Sequence, residues 1–178
     1  MNKRMLVVVD MQRDFVTGAL GTEEARAVVT PVCEKIRSWN GDICFTMDTH
    51  EENYGETLEG ERIPVPHCII GTDGWQLCEQ ISGYFEENPD RPFEFITKKT
   101  FGSTYIGDYV RSCEAEEVVM VGVCTDICII SNAMMIRAAN PDLKIIVDAS
   151  CCAGTTKENH QKALDVMKQC CIDVINEQ

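Results

Sequence analysis

Short, continuously apolar segments alternate with helical segments along this chain, and this alternation narrows the possible folds more than any other feature. Six predicted strands cover residues 5–9, 43–47, 93–97, 118–121, 143–147 and 172–175. Five predicted helices cover residues 23–39, 75–85, 104–113, 126–140 and 155–170. Strands without polar alternation are typical of parallel sheets that are buried on both faces. We therefore predict an α/β fold with three layers, in which helices cover both faces of a six-stranded, mostly parallel Rossmann-like sheet.

The length of 178 residues fits a single domain spanning residues 1–178. No apolar run approaches the roughly 20 residues that a transmembrane helix requires. The first apolar segment ends at Asp10, which is too soon for a secretory signal. We therefore expect a protein that neither spans a membrane nor carries an export signal.

The chain is acidic, with 29 Asp and Glu against 16 Lys and Arg and a formal net charge of -13. Such a surface repels phosphate backbones and anionic membranes, so neither a nucleic acid nor a membrane is an expected partner. The eleven cysteines are odd in number and lie mostly in apolar segments. They do not resemble a disulfide framework, and a reducing cytoplasm is the consistent compartment.

Polar residues with catalytic potential lie where the predicted strands end, which is where parallel sheets bind ligands. Asp10 follows the first strand, Lys98 and Lys99 follow the third, and Cys128 opens the helix after the fourth. A helix N-terminus beside a cation lowers the pKa of a thiol, and an aspartate can take its proton. Taken singly, such an aspartate is more often a turn residue, such a lysine is usually a solvated side chain and such a cysteine is usually a core residue.

Three motifs resemble the isochorismatase-like hydrolases, and within them the nicotinamidase-related amidases. The motifs are residues 10–15 (DMQRDF), 99–105 (KTFGSTY) and 122–128 (GVCTDIC). The resemblance implies a catalytic triad of Asp10, Lys99 and Cys128, in which Lys99 is preferred over Lys98 for its spacing to Ser103. It also implies a cis peptide before Cys124, with the backbone N–H groups of Cys124 and Cys128 forming the oxyanion hole.

Two histidines and an aspartate lie in and after the second predicted strand. Asp48 and His50 stand two residues apart as that strand ends, and His67 lies in the irregular segment that follows. These residue types suit zinc, iron or manganese, although they also serve as loop hydrogen-bonding groups. The third histidine, His160, lies in the last predicted helix and is expected to be an ordinary surface or packing residue.

The resemblance strengthens the metal hypothesis. It implies that the aspartate and the two histidines bind one divalent transition metal, Zn2+, Fe2+ or Mn2+, and that a glutamate between the histidines completes the site in some relatives. Glu59 is the best match for that glutamate, and Glu56 and Glu61 are its rivals. The metal is expected to hold the ring nitrogen of a pyridine substrate and so to orient its amide.

The motifs together with the resemblance therefore predict a cysteine hydrolase that cleaves a small carboxamide, foremost nicotinamide, to the acid and ammonia through a thioester. The resemblance also implies a homo-oligomer. Phe15 is expected to pack on the substrate ring. Two alternatives in the same family are an isochorismatase-type enzyme and a carbamoyl-amide hydrolase. Two others are a non-catalytic Rossmann-like protein and a redox sensor built on Cys124 and Cys128. The non-catalytic Rossmann-like protein lacks sequence support, because no glycine-rich phosphate loop follows the first strand.

Overall fold

The computed structural model of the protein describes residues 3–177, and within that range six strands form one sheet. The strands are β1 (Arg4–Val9), β2 (Asp42–Asp48), β3 (Glu94–Lys98), β4 (Glu117–Val123), β5 (Lys144–Ala153) and β6 (Asp173–Ile175). Their order across the sheet is β3-β2-β1-β4-β5-β6, and every neighbouring pair is parallel. The predicted fold class is confirmed.

Eight α-helices connect or flank these strands in the described part of the chain. They are α1 (Arg13–Val16), α2 (Glu23–Ala27), α3 (Val29–Ser38), α4 (Leu58–Arg62), α5 (Glu79–Glu87), α6 (Ile106–Ser112), α7 (Ile130–Ala139) and α8 (Lys157–Gln169). Short 3-10 turns cover Tyr54–Glu56 and Asp73–Trp75, and a π-helical turn covers Thr125–Ile129. None of the helices found between residues 3 and 177 has the length and apolar composition needed to cross a bilayer.

The sheet separates two apolar cores because successive side chains of each strand point to opposite faces. In β1, Leu6 and Val8 join the core under α2, α3 and α5, whereas Met5 and Val7 join the core under α6, α7 and α8. All four side chains are fully buried. A strand that must supply both cores cannot alternate with polar residues, which explains the continuous apolar runs of the sequence.

Two predicted helices differ from the structure. The segment predicted as one helix over residues 23–39 is divided into α2 and α3 at Val28. Pro31 lies in the first turn of α3 and has no N–H to continue the α2 hydrogen-bond ladder, so a new helix begins there. The helix predicted over 75–85 begins only at Glu79, because Gln12 pairs with Leu77 in an antiparallel bridge.

Two element boundaries at the end of the chain also differ. The strand predicted over 143–147 continues as β5 to Ala153, across a register shift opposite Met120 and Gly122. The last helix begins at Lys157 rather than at residue 155. Its N-cap is Thr156, whose side chain accepts a hydrogen bond from the Asn159 N–H.

Strand order positions the functional residues. From β1 the chain moves to β2 and β3 on one side, while β4 lies on the other side of β1. This reversal opens a crevice at the carboxyl ends of the strands, where α/β sheets bind their ligands. Asp10, Asp48 and Lys98 lie at the ends of β1, β2 and β3, and Cys128 follows β4.

Candidate active site

Lys98 is the centre of a buried polar cluster at the carboxyl edge of the sheet. Its Nζ lies 2.7 Å from Asp10 Oδ2 and 3.6 Å from Cys128 Sγ. The side chains of Lys98 and Asp10 are fully buried, and Cys128 is 5% exposed. The acid, the ammonium and the thiol that the sequence placed at three separate strand ends therefore meet in one site.

The lysine of this cluster is Lys98, not Lys99, and the prediction of Lys99 is corrected. Residues on a strand alternate between faces, and the buried Ile96 and Lys98 share one face of β3. Lys99 follows the strand on the opposite side and is exposed. The spacing to Ser103 that favoured Lys99 is therefore one residue shorter than the one this chain uses.

Asp10 ends β1 in a left-handed conformation, with φ of 48°. Its Oδ1 accepts a hydrogen bond of 2.7 Å from the Thr46 hydroxyl, while Oδ2 faces the lysine. Burial raises the pKa of Asp10, and the Lys98 ammonium and the Thr46 hydroxyl only partly offset this effect. The carboxyl group is therefore a stronger base than a solvated aspartate.

Cys128 lies in the π-helical turn that follows β4. Burial, together with the negative charge of Asp10, raises the pKa of the Cys128 thiol well above its usual range, and the Lys98 ammonium offsets only part of this effect. The expectation that the helix N-terminus and a cation lower this pKa is wrong, because burial outweighs both. Cys128 rests as a thiol beside an aspartate that can accept its proton.

A cis peptide bond joins Val123 to Cys124, as the resemblance implied. Gly122 precedes it with φ of 119°, and a side chain there would collide with the Val9 carbonyl oxygen. Cys124 occupies the N-cap of the turn that carries Cys128. Its side chain packs against the core under α3, whereas Cys128 belongs to the core under α7, so the two sulfurs do not form a facing redox pair.

All eleven cysteines lie among residues 3–177 and all are free thiols. Most are buried, and burial raises the pKa of Cys78 to about 11 and that of Cys124 to about 12. Apart from Cys128, the buried cysteines are packing groups rather than a disulfide framework.

Asp48, His50, Glu59 and His67 bring one ligand atom each to within 4.8 Å of the others. The His50 Nε2 lies 2.9 Å from Asp48 Oδ2 and 3.4 Å from Glu59 Oε1. The His67 Nε2 lies 3.4 Å from Asp48 Oδ2 and 3.8 Å from Glu59 Oε1. Two imidazole nitrogens and two carboxylates that converge in this way match the donor set of a divalent transition metal.

The hydrogen bonds and the burial of the neighbouring residues also favour metal binding by these four side chains. The His67 Nδ1 donates to the Val65 carbonyl oxygen at 2.8 Å, so Nε2 of the neutral imidazole is the nitrogen that can bind a metal in the cluster. Glu59 is the half-buried glutamate of its segment, whereas Glu56 and Glu61 are exposed and lie outside the group. His160 hydrogen-bonds through Nδ1 with the Thr125 hydroxyl and is not part of it.

Two polar residues of the motif at residues 10–15, Gln12 and Asp14, form hydrogen bonds with the backbone at or beside candidate metal ligands. Gln12 is fully buried, and its amide accepts from the Asp48 N–H at 2.7 Å and donates to the Asp48 carbonyl at 2.8 Å. Asp14 accepts a hydrogen bond of 2.8 Å from the Cys68 N–H, beside His67. Gln12 and Asp14 therefore fix the backbone of two candidate metal ligands.

Phe15 lies next to the metal cluster. It is 7% exposed, and its ring centroid lies 5.5 Å from that of His67. This position suits contact with a planar ligand that enters between the cluster and the thiol. Sequence reasoning missed Gln12 and Thr46, although both stand two residues from a predicted site residue on the same strand or turn.

The comparison with protein families decides the classification. A family model described as the isochorismatase domain matches residues 4–178. The chain belongs to this family. The isochorismatase match covers all six strands and every residue of the two clusters, and it confirms the resemblance that the three sequence motifs indicated.

Relatives agree with this assignment over nearly their full lengths. The isochorismatase family protein PncA of Bacillus subtilis is 30% identical over 175 residues, which cover 91% of this chain and 92% of that protein. The nicotinamidase of Escherichia coli is 25% identical over an alignment of 192 positions, which covers 92% of this chain and 89% of that protein. The crystal structure of a Pyrococcus horikoshii pyrazinamidase in complex with zinc is 26% identical, with a TM-score of 0.79 over 98% of this chain and 99% of that one.

Proposed function

We propose that this protein hydrolyses nicotinamide to nicotinate and ammonia through a thioester on Cys128. The observation that carries the proposal is the meeting of Asp10, Lys98 and Cys128 beside a four-residue metal cluster. The similarity to the nicotinamidase of Escherichia coli and to the pyrazinamidase of Pyrococcus horikoshii supports the same substrate class. The metal cluster disfavours a carbamoyl-amide hydrolase, which keeps the triad without that cluster.

The residues of the triad divide the acylation chemistry between them. The Asp10 carboxylate removes the proton from the Cys128 thiol, and the sulfur forms a bond to the carboxamide carbon. Lys98 stabilises the two negative groups and fixes their geometry. The oxyanion is held by the backbone N–H groups of Cys124 and Cys128. Asp10 then returns the proton to the amide nitrogen, the C–N bond breaks, and ammonia leaves.

Deacylation uses the same residues in the opposite direction. Asp10 removes a proton from a water molecule, whose oxygen attacks the thioester carbonyl carbon. The C–S bond breaks, nicotinate is released, and the proton returns to the Cys128 sulfur. One carboxyl group serves both steps because it is a base in the resting protein and an acid once it holds the thiol proton.

We propose Asp48, His50, Glu59 and His67 as the ligands of one divalent metal. Zinc is the first choice, because nitrogen and carboxylate ligands suit it and the Pyrococcus horikoshii relative was crystallised with it; Fe2+ and Mn2+ are alternatives. When bound, the metal supplies a coordination position for the ring nitrogen of the substrate. Phe15 packs against the ring and completes the ring subsite.

The test is ammonia release from nicotinamide by metal-quantified protein. Wild-type protein should release ammonia and nicotinate in equal amounts, and Cys128→Ala should lower turnover by at least about 1,000-fold. Cys171→Ala removes an exposed thiol and is the matched control. Absence of turnover with Zn2+, Fe2+ and Mn2+ alike would reject the substrate, and full activity of Cys128→Ala would reject the mechanism.

We also propose that the protein acts in the cytoplasm as a homo-oligomer, where nicotinamide hydrolysis serves NAD salvage. The free thiols of all eleven cysteines support a reducing compartment. Leu58 and Tyr105 are 71% and 55% exposed and offer apolar surface that a second copy can cover. Light scattering on purified protein tests the oligomer, and a monomer at micromolar concentration would reject it.

A further inference from the structure

Asn132 is a buried amide that binds three backbone groups around Cys128. The side chain is fully buried in the first turn of α7. Its Nδ2 donates to the Cys128 carbonyl oxygen at 2.8 Å and to the Phe101 carbonyl oxygen at 3.2 Å. Its Oδ1 accepts from the Ser103 N–H at 2.9 Å. Both amide protons and one lone pair of the amide oxygen therefore take part in hydrogen bonds, so the hydrogen-bonding capacity of this buried side chain is satisfied.

These bonds join the two segments that carry the lysine and the thiol. Phe101 and Ser103 belong to the loop that leaves β3 directly after Lys98, whereas Cys128 lies on the turn after β4. The strands β3 and β4 are not neighbours, because β2 and β1 lie between them in the sheet. The strand ladders therefore link Lys98 to the Cys128 turn only through β2 and β1, and Asn132 supplies a direct link between the two segments.

We infer that Asn132 is a positioning residue for the proposed hydrolase, holding the Cys128 turn against the loop after Lys98 so that the ammonium and the sulfur stay in contact. The inference rests on the proposed function for its activity measurement. Its second measurement, the chemical reactivity of the thiol, does not depend on the substrate. A displacement of about 1 Å between reacting groups can lower a rate by about 100-fold, so a remote amide can have a large effect.

Asn140 is the matched control for the loss of an amide. It lies at the other end of α7, and its Nδ2 donates to the Gly107 carbonyl oxygen at 2.9 Å and to the Ile136 carbonyl oxygen at 3.1 Å. Asn140 thus also links α7 to a neighbouring segment, but it touches none of the groups around Cys128. Asn140→Ala reports the cost of removing such a link without affecting the site.

Asn132→Ala and Asn132→Thr test the inference together. The alanine removes all three hydrogen bonds, whereas a threonine hydroxyl can donate to the carbonyl four residues earlier, which is that of Cys128. We expect Asn132→Ala to lower kcat by about 10- to 100-fold with KM changed less than about threefold. Asn132→Thr should recover part of the lost kcat. If the alanine variant does not fold, the threonine variant is the one compared with wild-type protein.

Thiol labelling supplies the readout that a purely structural role does not change. Iodoacetamide labelling at one fixed pH, followed by mass spectrometry of each cysteine peptide, should show Cys128 labelled at least about fivefold more slowly in Asn132→Ala. Exposed Cys171 normalises the reagent, and buried Cys152 in the same core reports general opening. Both references should match wild-type protein.

The outcomes separate the two hypotheses. If wild-type protein hydrolyses no amide but Cys128 labelling falls in Asn132→Ala, the proposed function fails and the positioning role stands. Wild-type kcat and wild-type Cys128 labelling in Asn132→Ala would overturn the positioning role. Equal losses in Asn140→Ala, or faster labelling of both Cys128 and Cys152, would also overturn it, because Asn132 would then only stabilise the core.

Discussion

Lys98 Nζ lies 2.9 Å from Asp48 Oδ1, while the other Asp48 oxygen faces the two histidines of the metal cluster. One lysine therefore contacts the triad aspartate, the thiol and a candidate metal ligand. Burial alone would lower the pKa of Lys98, but the negative charges of Asp10 and Asp48 raise it, so the side chain remains an ammonium. The triad and the metal cluster consequently share one charged network.

Replacement of the central lysine should damage both activity and stability. Lys98→Met removes the ammonium between two buried carboxylates, and we expect turnover per folded molecule to fall by at least about 1,000-fold. The unpaired carboxylates should lower the free energy of unfolding by about 3–5 kcal/mol. Nicotinamide hydrolysis and urea unfolding measure the two effects.

Lys99→Met is the control for that experiment, because Lys99 is exposed and adjacent. Its activity should stay within about twofold of wild type, and its stability within about 0.5 kcal/mol. A large activity loss in Lys99→Met with normal turnover in Lys98→Met would restore the lysine that the sequence alone favoured.

Removal of the glutamate from the metal cluster should weaken metal binding. Glu59→Gln keeps the shape of the side chain but loses a charged ligand, so we expect zinc affinity to fall by at least about 10-fold. Competition with a zinc-binding dye measures the change. Glu61→Gln lies in the same helix on an exposed side chain and should bind zinc as wild-type protein does. Equal effects of the two substitutions would remove Glu59 from the ligand set.

The Thr46 hydroxyl should influence the pH dependence of the reaction. Its hydrogen bond favours the ionised form of Asp10, so Thr46→Val should raise the pKa of that carboxyl further. The base must be ionised to take the thiol proton, and the acidic limb of the kcat/KM profile should therefore move to higher pH. Thr97→Val, on an exposed strand position, should leave the profile unchanged. An unshifted limb in Thr46→Val would argue against Asp10 as the base.

An ion pair distant from the site should contribute to stability in a pH-dependent way. Lys35 Nζ of α3 lies 2.5 Å from Oδ2 of the buried Asp148 in β5. Burial alone would raise the pKa of Asp148, but Lys35, Asn176 and Ser150 lower it. A depressed pKa stabilises the folded state above the unfolded pKa, and this contribution is lost as the pH falls through the folded pKa.

Lys35→Met should therefore lower the free energy of unfolding at pH 7 by roughly 1–3 kcal/mol. The difference from wild-type protein should shrink as the pH falls below the ordinary aspartate pKa of about 4 and through the lowered pKa of Asp148. Urea unfolding of both proteins at pH 7 and at an acidic pH measures this difference in the free energy of unfolding. Arg37→Met removes an exposed charge from the same helix and should change stability by less than about 0.5 kcal/mol. A difference that grows on acidification would contradict the assigned role of Asp148.

The sheet was predictable because continuous apolar strands have one physical explanation, burial on both faces. Asp10, Asp48 and His50 could be named as candidates because each stands at or just after a strand end, and Cys128 because it lies in a family motif. Glu59 and His67 lie farther along the chain and were named through the resemblance to metal-binding relatives. The choice between the two lysines was harder, because apolar Phe95 and Ile96 point to opposite faces of β3 and only the structure shows that the face of Ile96 and Lys98 is buried. Motif spacing was used instead, and it led to the neighbouring residue.

Contacts between distant segments could not be predicted in the same way. Asn132 stands four residues after Cys128, but its bonds to Phe101 and Ser103 depend on how two loops meet. The raised pKa of Cys128 was missed for a similar reason. A helix N-terminus is visible in sequence, whereas the degree of burial that outweighs it appears only once the core is assembled.

The most direct test of the mechanism is detection of the acyl-enzyme. A reaction with nicotinamide, quenched in acid within its first turnover and digested, should yield a Cys128 peptide that carries a nicotinoyl group in thioester linkage. Hydroxylamine should remove the group, and no other cysteine peptide should carry it. Sustained hydrolysis without any acyl group on Cys128, in a quench fast enough to sample the first turnover, would contradict the account.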